Sequence, residues 1–479
     1  MLHLNRKLFH ITIYLLCLNV YICLELMKFK EETKLYKFVE INSSEIDKFN
    51  ESDRKGHIFQ TSYWAELKKD WKKKFIAGYD NDNNMVITAT ILLRKAPYIN
   101  KYMGYIPRSF TCDYNNKKLL IEFTEYLREF AKKNNISFIT IDPDIHLKEN
   151  EEALSEGTEI KNFLKSLGYK NTDSKNFEAI QPNFVFRLPL PTEGNKMDIK
   201  KAVFKKFSSK TRYNIKVAEE RGLSVEVYDK ETLNEDVLDR FHEIMVTTGK
   251  RDNFLVRHRE YFKDMIDYLY PHCRLYMVKY SYENDFNRLS EKLNKQEEAK
   301  TKAINKIEEL KVKLEAETDE DKKSRIEKKL NDQDKRLKEA ERQIEGFKKK
   351  ISDIEPFKGQ EIYISGSIYL YYGNKAWYLY GASENILRDT MPNFAMQWSM
   401  ICDSIDLGCD VYDFRGVSGD LNPENPLYGL YKFKKGFNGN FVEFIGEFDI
   451  VVDNGIYTLY KKAFPQFKKI RNAIMNKKQ

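Results

Sequence analysis

Six cysteines in 479 residues form no CxxC pair, and none stands with a histidine at zinc-finger spacing. Neither a zinc site nor a disulfide framework has a basis in the sequence, and the chain reads as reduced and metal-free. The seven histidines are scattered without an HExxH run, and neither GxSxG nor GxxxxGK(S/T) occurs. Zinc proteases, serine hydrolases and P-loop enzymes are disfavoured accordingly. No Ala-x-Ala cleavage site follows the one long apolar run near the N-terminus, at residues 8–24.

That run is about 17 residues long, between a signal-peptide core and the shortest bilayer span. Arg6 and Lys7 precede it, and Lys28, Lys30, Lys34 and Lys37 follow. Two readings stand level. One is an anchor whose more basic downstream flank leaves the body of the protein in the cytoplasm; the other is a native start at Met27 behind an over-extended reading frame. Either reading makes the working part cytoplasmic, peripheral or anchored at the inner face of the plasma membrane.

What the chain has in quantity is aromatic side chain. Its 30 tyrosines and 31 phenylalanines supply a large core and rings suited to grip a sugar or a base. The length exceeds one ordinary core, which implies two domains or one interrupted by an insertion. A formal net charge of +8 is compatible with a nucleic acid or an anionic membrane surface and diagnostic of neither.

From residue 36 onward, alternating and helical patterns follow one another. Strands are expected at residues 36–41, 75–79, 85–93, 102–106 and 136–141. Helices are expected at 45–49, from a Thr61 or Ser62 cap through Trp64, Leu67 and Trp71, and along the stripe from Leu119 to Phe130. Asp142 ends the last of these strands, a common site for chemistry in α/β sheets, although Asp-Pro equally makes a plain turn.

A second unit begins after Pro182 with a strand at 184–188. The basic stretch 200–216 interleaves lysine and arginine with Phe204, Phe207, Tyr213 and Ile215. Ser208 or Ser209 caps the helix carrying Lys210, Arg212 and Lys216, which suits either phosphates or a solvated face. A strand at 223–227 and helices at 233–245 and 259–270 follow, with a polar loop at 247–257 between the helices.

Residues 285–355 differ in kind. Apolar positions from Phe286 to Leu314, and again from Ile326 to Ile351, step by 3 and 4 through a background of Lys, Glu, Arg and Asp. The pattern predicts an antiparallel coiled-coil hairpin whose polar seam positions, Gln296, Lys300 and Gln333, loosen its middle. Aromatic strands at 273–280 and 361–372 flank it, so the arm occupies a β-hairpin loop, where insertions cost little. An arm paired with itself implies a monomer.

A strand at 376–380, a helix at 394–405 and a strand at 411–414 lead to residues 428–437, Tyr-Gly-Leu-Tyr-Lys-Phe-Lys-Lys-Gly-Phe. Lys432, Lys434 and Lys435 sit there among rings. Taken alone, the stretch reads as a short surface turn with lysines snorkelling over a core edge, or as cations held to face an anion.

Strand, hairpin, helix, strand and basic loop outline half of an acetyltransferase (GNAT) fold. In chain order the motifs are Trp64-Ala-Glu-Leu-Lys68, Ile141-Asp-Pro143, Ser209-Lys-Thr-Arg212, Arg257 with Glu260-Tyr-Phe262, Trp377-Tyr-Leu-Tyr-Gly381, Tyr431-Lys-Phe-Lys434 and Ile445-Gly-Glu-Phe-Asp449. Together they resemble the FemABX family of aminoacyl-tRNA-dependent peptidyltransferases, which attach amino acids to the stem peptide of peptidoglycan precursors. The resemblance spans about residues 59–460, and the arm looks like the seryl-tRNA-synthetase-like arm that some members carry.

The resemblance implies an α/β (α+β) fold of two GNAT-like domains. Residues 28–181 completed by 436–479 make one, residues 182–435 with the arm 285–355 inserted make the other, and 1–27 is a hydrophobic N-terminal extension. It implies no cofactor and no metal. The co-substrate is aminoacyl-tRNA, and the acceptor is lipid II or UDP-MurNAc-pentapeptide, with the lipid-linked form at the inner leaflet of the membrane.

By similarity, Lys68, Arg257 and Tyr261 hold the diphosphate and sugar end of the precursor, and Tyr378 and Tyr380 line its channel. Phe433 and Lys434 fall at the transfer centre, where Lys434 offsets charge on the oxyanion; Lys432 and Lys435 meet tRNA phosphates. Asp142 matches the position of a base for the attacking amine, a role equally open to a substrate group or water. Two other classes stay open. An acyl-CoA N-acyltransferase would use a glycine-rich loop, and Gly381-Ala-Ser-Glu-Asn lacks GxG spacing; a non-enzymatic RNA-binding coiled-coil scaffold would be a dimer.

Overall fold

The apolar alternation expected of strands is realised as two mixed sheets in a computed structural model that describes residues 35–96, 99–173 and 179–461. The apolar run at 8–24 lies outside the described residues. In the first sheet the order is Lys37–Glu40, Lys72–Tyr79, Met85–Lys95, Tyr102–Ile106, Ile136–Ile141, Glu447–Val451 and Lys170–Thr172, with Thr111–Cys112 paired on Met85–Lys95. The second runs Leu223–Tyr228, Cys273–Ser281, Glu361–Tyr372, Lys375–Ser383, Val411–Gly416, Phe184–Pro189, Asn440–Phe444, His146–Glu149 and Glu152–Ala153.

The same device appears in each sheet. Tyr102–Ile106 and Ile136–Ile141 pair in parallel around the helix Lys117–Lys133. Lys375–Ser383 and Val411–Gly416 pair in parallel around the helix Pro392–Asp406. A parallel pair needs such a crossover, because a tight turn cannot return the chain to the same edge. The first crossover helix is fixed by its stripe: Leu119, Leu120, Phe123 and Leu127 are all buried, and each contributes about 1.5–3 kcal/mol relative to exposure.

The two sheets trade strands across the boundaries expected from the sequence. His146–Glu149 and Glu152–Ala153, from the N-terminal stretch, and Asn440–Phe444, from the C-terminal one, complete the second sheet. Glu447–Val451 returns to the first. A single core then joins Phe59, Trp64, Leu67, Leu92 and Tyr105 to Phe241, Phe262, Ile368 and Trp377 on one face of the second sheet, while Phe186, Tyr369, Met400 and Phe414 fill the other face.

The arm is a helical hairpin of Tyr282–Ala316 and Glu320–Ile354, 35 residues each, so each limb is about 52 Å long at 1.5 Å per residue. Ala303, Ile307 and Leu310 bury against a seam that includes Ala340 and Ile344. Lys300, expected to loosen that seam, reaches Glu341 of the other limb at 3.0 Å. The root strands pair directly, Ser281 opposite Glu361. Arg221 fixes the root, donating to fully buried Asp285 at 2.6 Å and to Asp389 at 2.7 Å.

Three expected elements differ. The helix after Thr61 stops at Leu67, leaving Trp71 outside it. The stretch 247–257 is loop only in its second half, because the helix Glu235–Asp252 continues until Asn253 ends it in the left-handed region at φ 55°. Residues 428–435 are not a surface turn but the helix Tyr428–Lys435, with Tyr431 and Lys434 on its buried side.

Candidate active site

The site is organised by the strand Lys375–Ser383. Simple alternation would put Tyr378 and Tyr380 on one face, but the pairing with Glu361–Tyr372 slips by one residue, Tyr369 opposite Tyr378 and Ile368 opposite Tyr380. This β-bulge at Leu379 re-aims the chain. Tyr378 consequently packs with the Tyr369–Phe414 core, and Tyr380 with the Phe262–Trp377 core.

On the Tyr378 side lies a cleft of about 1320 Å³, lined among others by Tyr378, Gly381, Arg251, Arg388, Asn393, Phe394, Phe433 and Lys434. Tyr378 leans over Gly381 so closely that a Cβ there would fall 1.6 Å from the tyrosine hydroxyl oxygen, so only glycine leaves room for the ring. Phe433 stands edge-on to Phe394, with ring centres 5.0 Å apart.

Lys434 is 3% exposed. Its Nζ donates to the carbonyls of Gly416 at 2.7 Å and Arg415 at 3.2 Å, and lies 6.0 Å from the Tyr378 ring centre. Burial lowers its pKa to about 7; nearby Asp413 opposes that and Arg415 adds to it. Asp413 offers no direct contact, because its carboxylate already accepts from the Arg187 Nε and the Arg415 backbone N–H. Arg415 itself holds a left-handed backbone at φ 61°, the kind of strained conformation that collects at functional sites.

On the Tyr380 side a second lysine sits in an aromatic cradle. Lys68 ends the short helix, lies 4.1 Å over the Trp64 ring and 5.0 Å from the Tyr261 ring centre, and donates to the Tyr261 hydroxyl at 2.8 Å. Tyr261 meets Tyr380 edge-on, and the Arg257 guanidinium stacks 5.1 Å from the other ring contact, the Tyr261 ring centre. Burial and, next, repulsion from Arg257 lower Lys68 to about 7. Lys68, Arg257, Tyr261 and Tyr380 are thus brought together, as are Lys434, Phe433 and Tyr378.

Asp142 is placed apart from the cleft lining. It is 4% exposed, accepts from the Arg108 backbone N–H at 2.7 Å and the Tyr105 hydroxyl at 3.2 Å, and is pushed up to about 6 by burial, against Arg108. Both of its oxygens are engaged by the protein. Lys432 and Lys435 are exposed, each ammonium lying over its own helix's tyrosines, Tyr428 at 5.1 Å and Tyr431 at 5.4 Å. The sequence reading missed Arg251, Arg388, Asn393 and the structural role of Gly381. Arg251 was visible as a cation in the polar stretch; the loop carrying Arg388 had no signal.

A family model, that of the FemAB family, matches residues 41–464. The lipid II:glycine glycyltransferase of Staphylococcus aureus strain MRSA252 is 30% identical over 447 residues, covering 91% of this chain and 98% of that protein. The protein of the same name from strain MSSA476 matches to the same extent. A crystal structure of FemX superposes with a TM-score of 0.66 at 29% identity, over 88% of this chain and 99% of the other. The order of motifs, the paired sheets and a match across nine-tenths of the chain agree: this chain belongs to the FemAB family.

Proposed function

We propose that the protein transfers an amino acid from aminoacyl-tRNA to the amine of the stem peptide of a peptidoglycan precursor. The observation that carries this reading is the setting of Lys434. An ammonium has three N–H donors; two point at the Arg415 and Gly416 carbonyls, leaving a third for the cleft. A donor fixed in that way, with little water around it, meets the charge that builds on an ester oxygen during attack by an amine. An approaching anion also raises the lysine's pKa, so the charged form is favoured when it is needed.

The steps are an aminolysis. The stem-peptide amine attacks the ester carbonyl, the tetrahedral oxyanion faces Lys434, the tRNA 3′ oxygen leaves with a proton, and an amide remains. With both Asp142 oxygens occupied, the amine's proton passes to a substrate group or to water, and Asp142 holds the Arg108 turn. The named relative acts on lipid II with glycine, which makes a lipid-linked acceptor at the inner leaflet and a glycyl donor the first pair to try, ahead of UDP-MurNAc-pentapeptide. On that acceptor, Lys68, Arg257 and Tyr261 take the diphosphate and sugar. Among the described residues no helix is long and apolar enough to cross a membrane. The self-paired arm favours a monomer, and no cofactor is needed because the ester is already activated.

The test is transfer of radiolabel from charged tRNAs onto both acceptor types, with wild-type protein and Lys434→Ala. Label should move onto the lipid-linked acceptor and all but vanish in the variant. Full transfer by Lys434→Ala removes the catalytic assignment, and no transfer from any charged tRNA removes the reading.

A further inference from the structure

The helices Lys196–Lys206 and Ser209–Glu220 meet at a rigid corner. The Ser208 hydroxyl oxygen accepts from the Thr211 backbone N–H, Arg212 donates to the Lys205 and Phe207 carbonyls, and Phe207 is buried. A corner held that firmly presents its outer side chains in a fixed pattern. Lys205, Lys206, Lys210 and Lys216 are exposed there, and none of them forms an ion pair among the described residues. Their neighbours differ: Lys200 is held by Asp406 and Lys292 by Glu220. Between the free lysines stands Tyr213, 65% exposed, with its ring unprotected.

The corner is continuous with the cleft. The Ser208 N–H donates to the Gly436 carbonyl at 2.9 Å, and a Cβ on Gly436 would come within 2.4 Å of the Thr211 hydroxyl oxygen. The helix carrying Lys432 and Lys435 is therefore packed against the start of Ser209–Glu220, and those two lysines extend the free cations to the cleft mouth at Leu430 and Phe433. At the far end, Tyr213 and Val217 line a groove of about 280 Å³ with Arg288, Lys292 and Lys350 of the arm root. The acids in that groove are already neutralised, Glu220 by Lys292 and Asp389 by Arg221.

We infer that this lysine track is the docking surface for the acceptor end of the tRNA, an assignment that rests on the transfer reaction proposed above. Its lysines match backbone phosphates, and Tyr213 offers a face on which an unpaired base stacks. A nucleic acid suits it better than an anionic bilayer, because one end opens into the cleft where the ester must arrive and the other into a groove that admits a chain but not a flat sheet.

The experiment measures binding of the full chain to glycyl-tRNA and uncharged tRNA over about 50–200 mM salt, and separately to vesicles of anionic phospholipid. Wild type is compared with combined Lys206→Ala, Lys210→Ala and Lys216→Ala and with Tyr213→Ala; circular dichroism confirms that each variant is folded. The triple variant should lose about one unit of salt slope per lysine, Tyr213→Ala should weaken binding about tenfold, and both should raise KM for the charged tRNA while kcat, KM for the acceptor and vesicle binding stay put. Variants that bind tRNA with wild-type affinity and slope overturn the surface alone, as do variants that lose vesicles but keep tRNA. Wild-type protein that binds no tRNA takes the proposed reaction down with it.

Discussion

The two lysines at the heart of the molecule are both lowered to about 7, yet their surroundings share almost nothing. Lys434 is buried, held by two backbone carbonyls and faces a cleft. Lys68 is half-buried, walled by the Trp64 and Tyr261 rings and crowded by a second cation, Arg257. A charge pinned by carbonyls is suited to one atom at one point in a reaction. Two cations beside rings, with one guanidinium exposed, are suited to grip a diphosphate whose own charge relieves their repulsion. Similar basicity therefore arises in two quite different settings.

Replacing each lysine breaks the comparison most sharply. Lys434→Ala should cut kcat by about 10²–10³-fold, as loss of one oxyanion donor does elsewhere, with the KM values for both substrates little changed. Lys68→Ala should instead raise the acceptor KM by about 10–100-fold, the worth of a charged hydrogen bond, and leave kcat standing. Steady-state kinetics against each substrate separates the two; the same pattern in both variants would mean that the lysines serve one site.

Gly381→Ala probes one side only. Its Cβ must displace the Tyr378 ring, so we expect a loss of about 1–3 kcal/mol in stability, the usual cost of overpacking, and weaker transfer, with binding at Lys68 intact. Thermal melts alongside acceptor binding check both. Lys434→Arg sharpens the comparison through pH. If the ammonium is what acts, kcat/KM in wild type falls as pH rises through about 7, because deprotonation removes the charge, and the arginine variant carries that fall to higher pH. A rate that climbs through the same range would make the neutral amine the active form. The smallest effect belongs to Asp142→Asn, whose loss should stay below the roughly 10²-fold expected of a general base.

The repeated strand and helix order could be read in advance because each element carries its period on its face: Leu119 to Phe130 at 3 and 4, Ile136 to Ile141 rich in β-branched and aromatic residues and flanked by Asn and Asp. The arm was legible for the same reason. The helix Tyr428–Lys435 was not, because it is short and has no side-chain cap at Leu427, so its aromatic and basic residues look alike in a turn or a helix. Strands His146–Glu149 and Asn440–Phe444 are half polar and changed sheets without warning. Of the site, the residue types were visible and the resemblance grouped Lys68 with Arg257 and Tyr261, but the parting of Tyr378 from Tyr380 onto opposite faces was not. Nothing in Trp377-Tyr-Leu-Tyr announces that the ladder slips at Leu379, since the register against Tyr369 and Ile368 on the neighbouring strand decides it.

That slip has a consequence for how the protein tolerates change. Side chains on a strand obey an odd-even count, and the one surplus residue near position 379 reverses the count for everything after it. Deleting Leu379 should therefore close the ladder with Tyr380 and Gly381 still on the faces they now hold, a milder injury than losing a residue from the regular part of the strand, where the faces on one side of the gap reverse against those on the other.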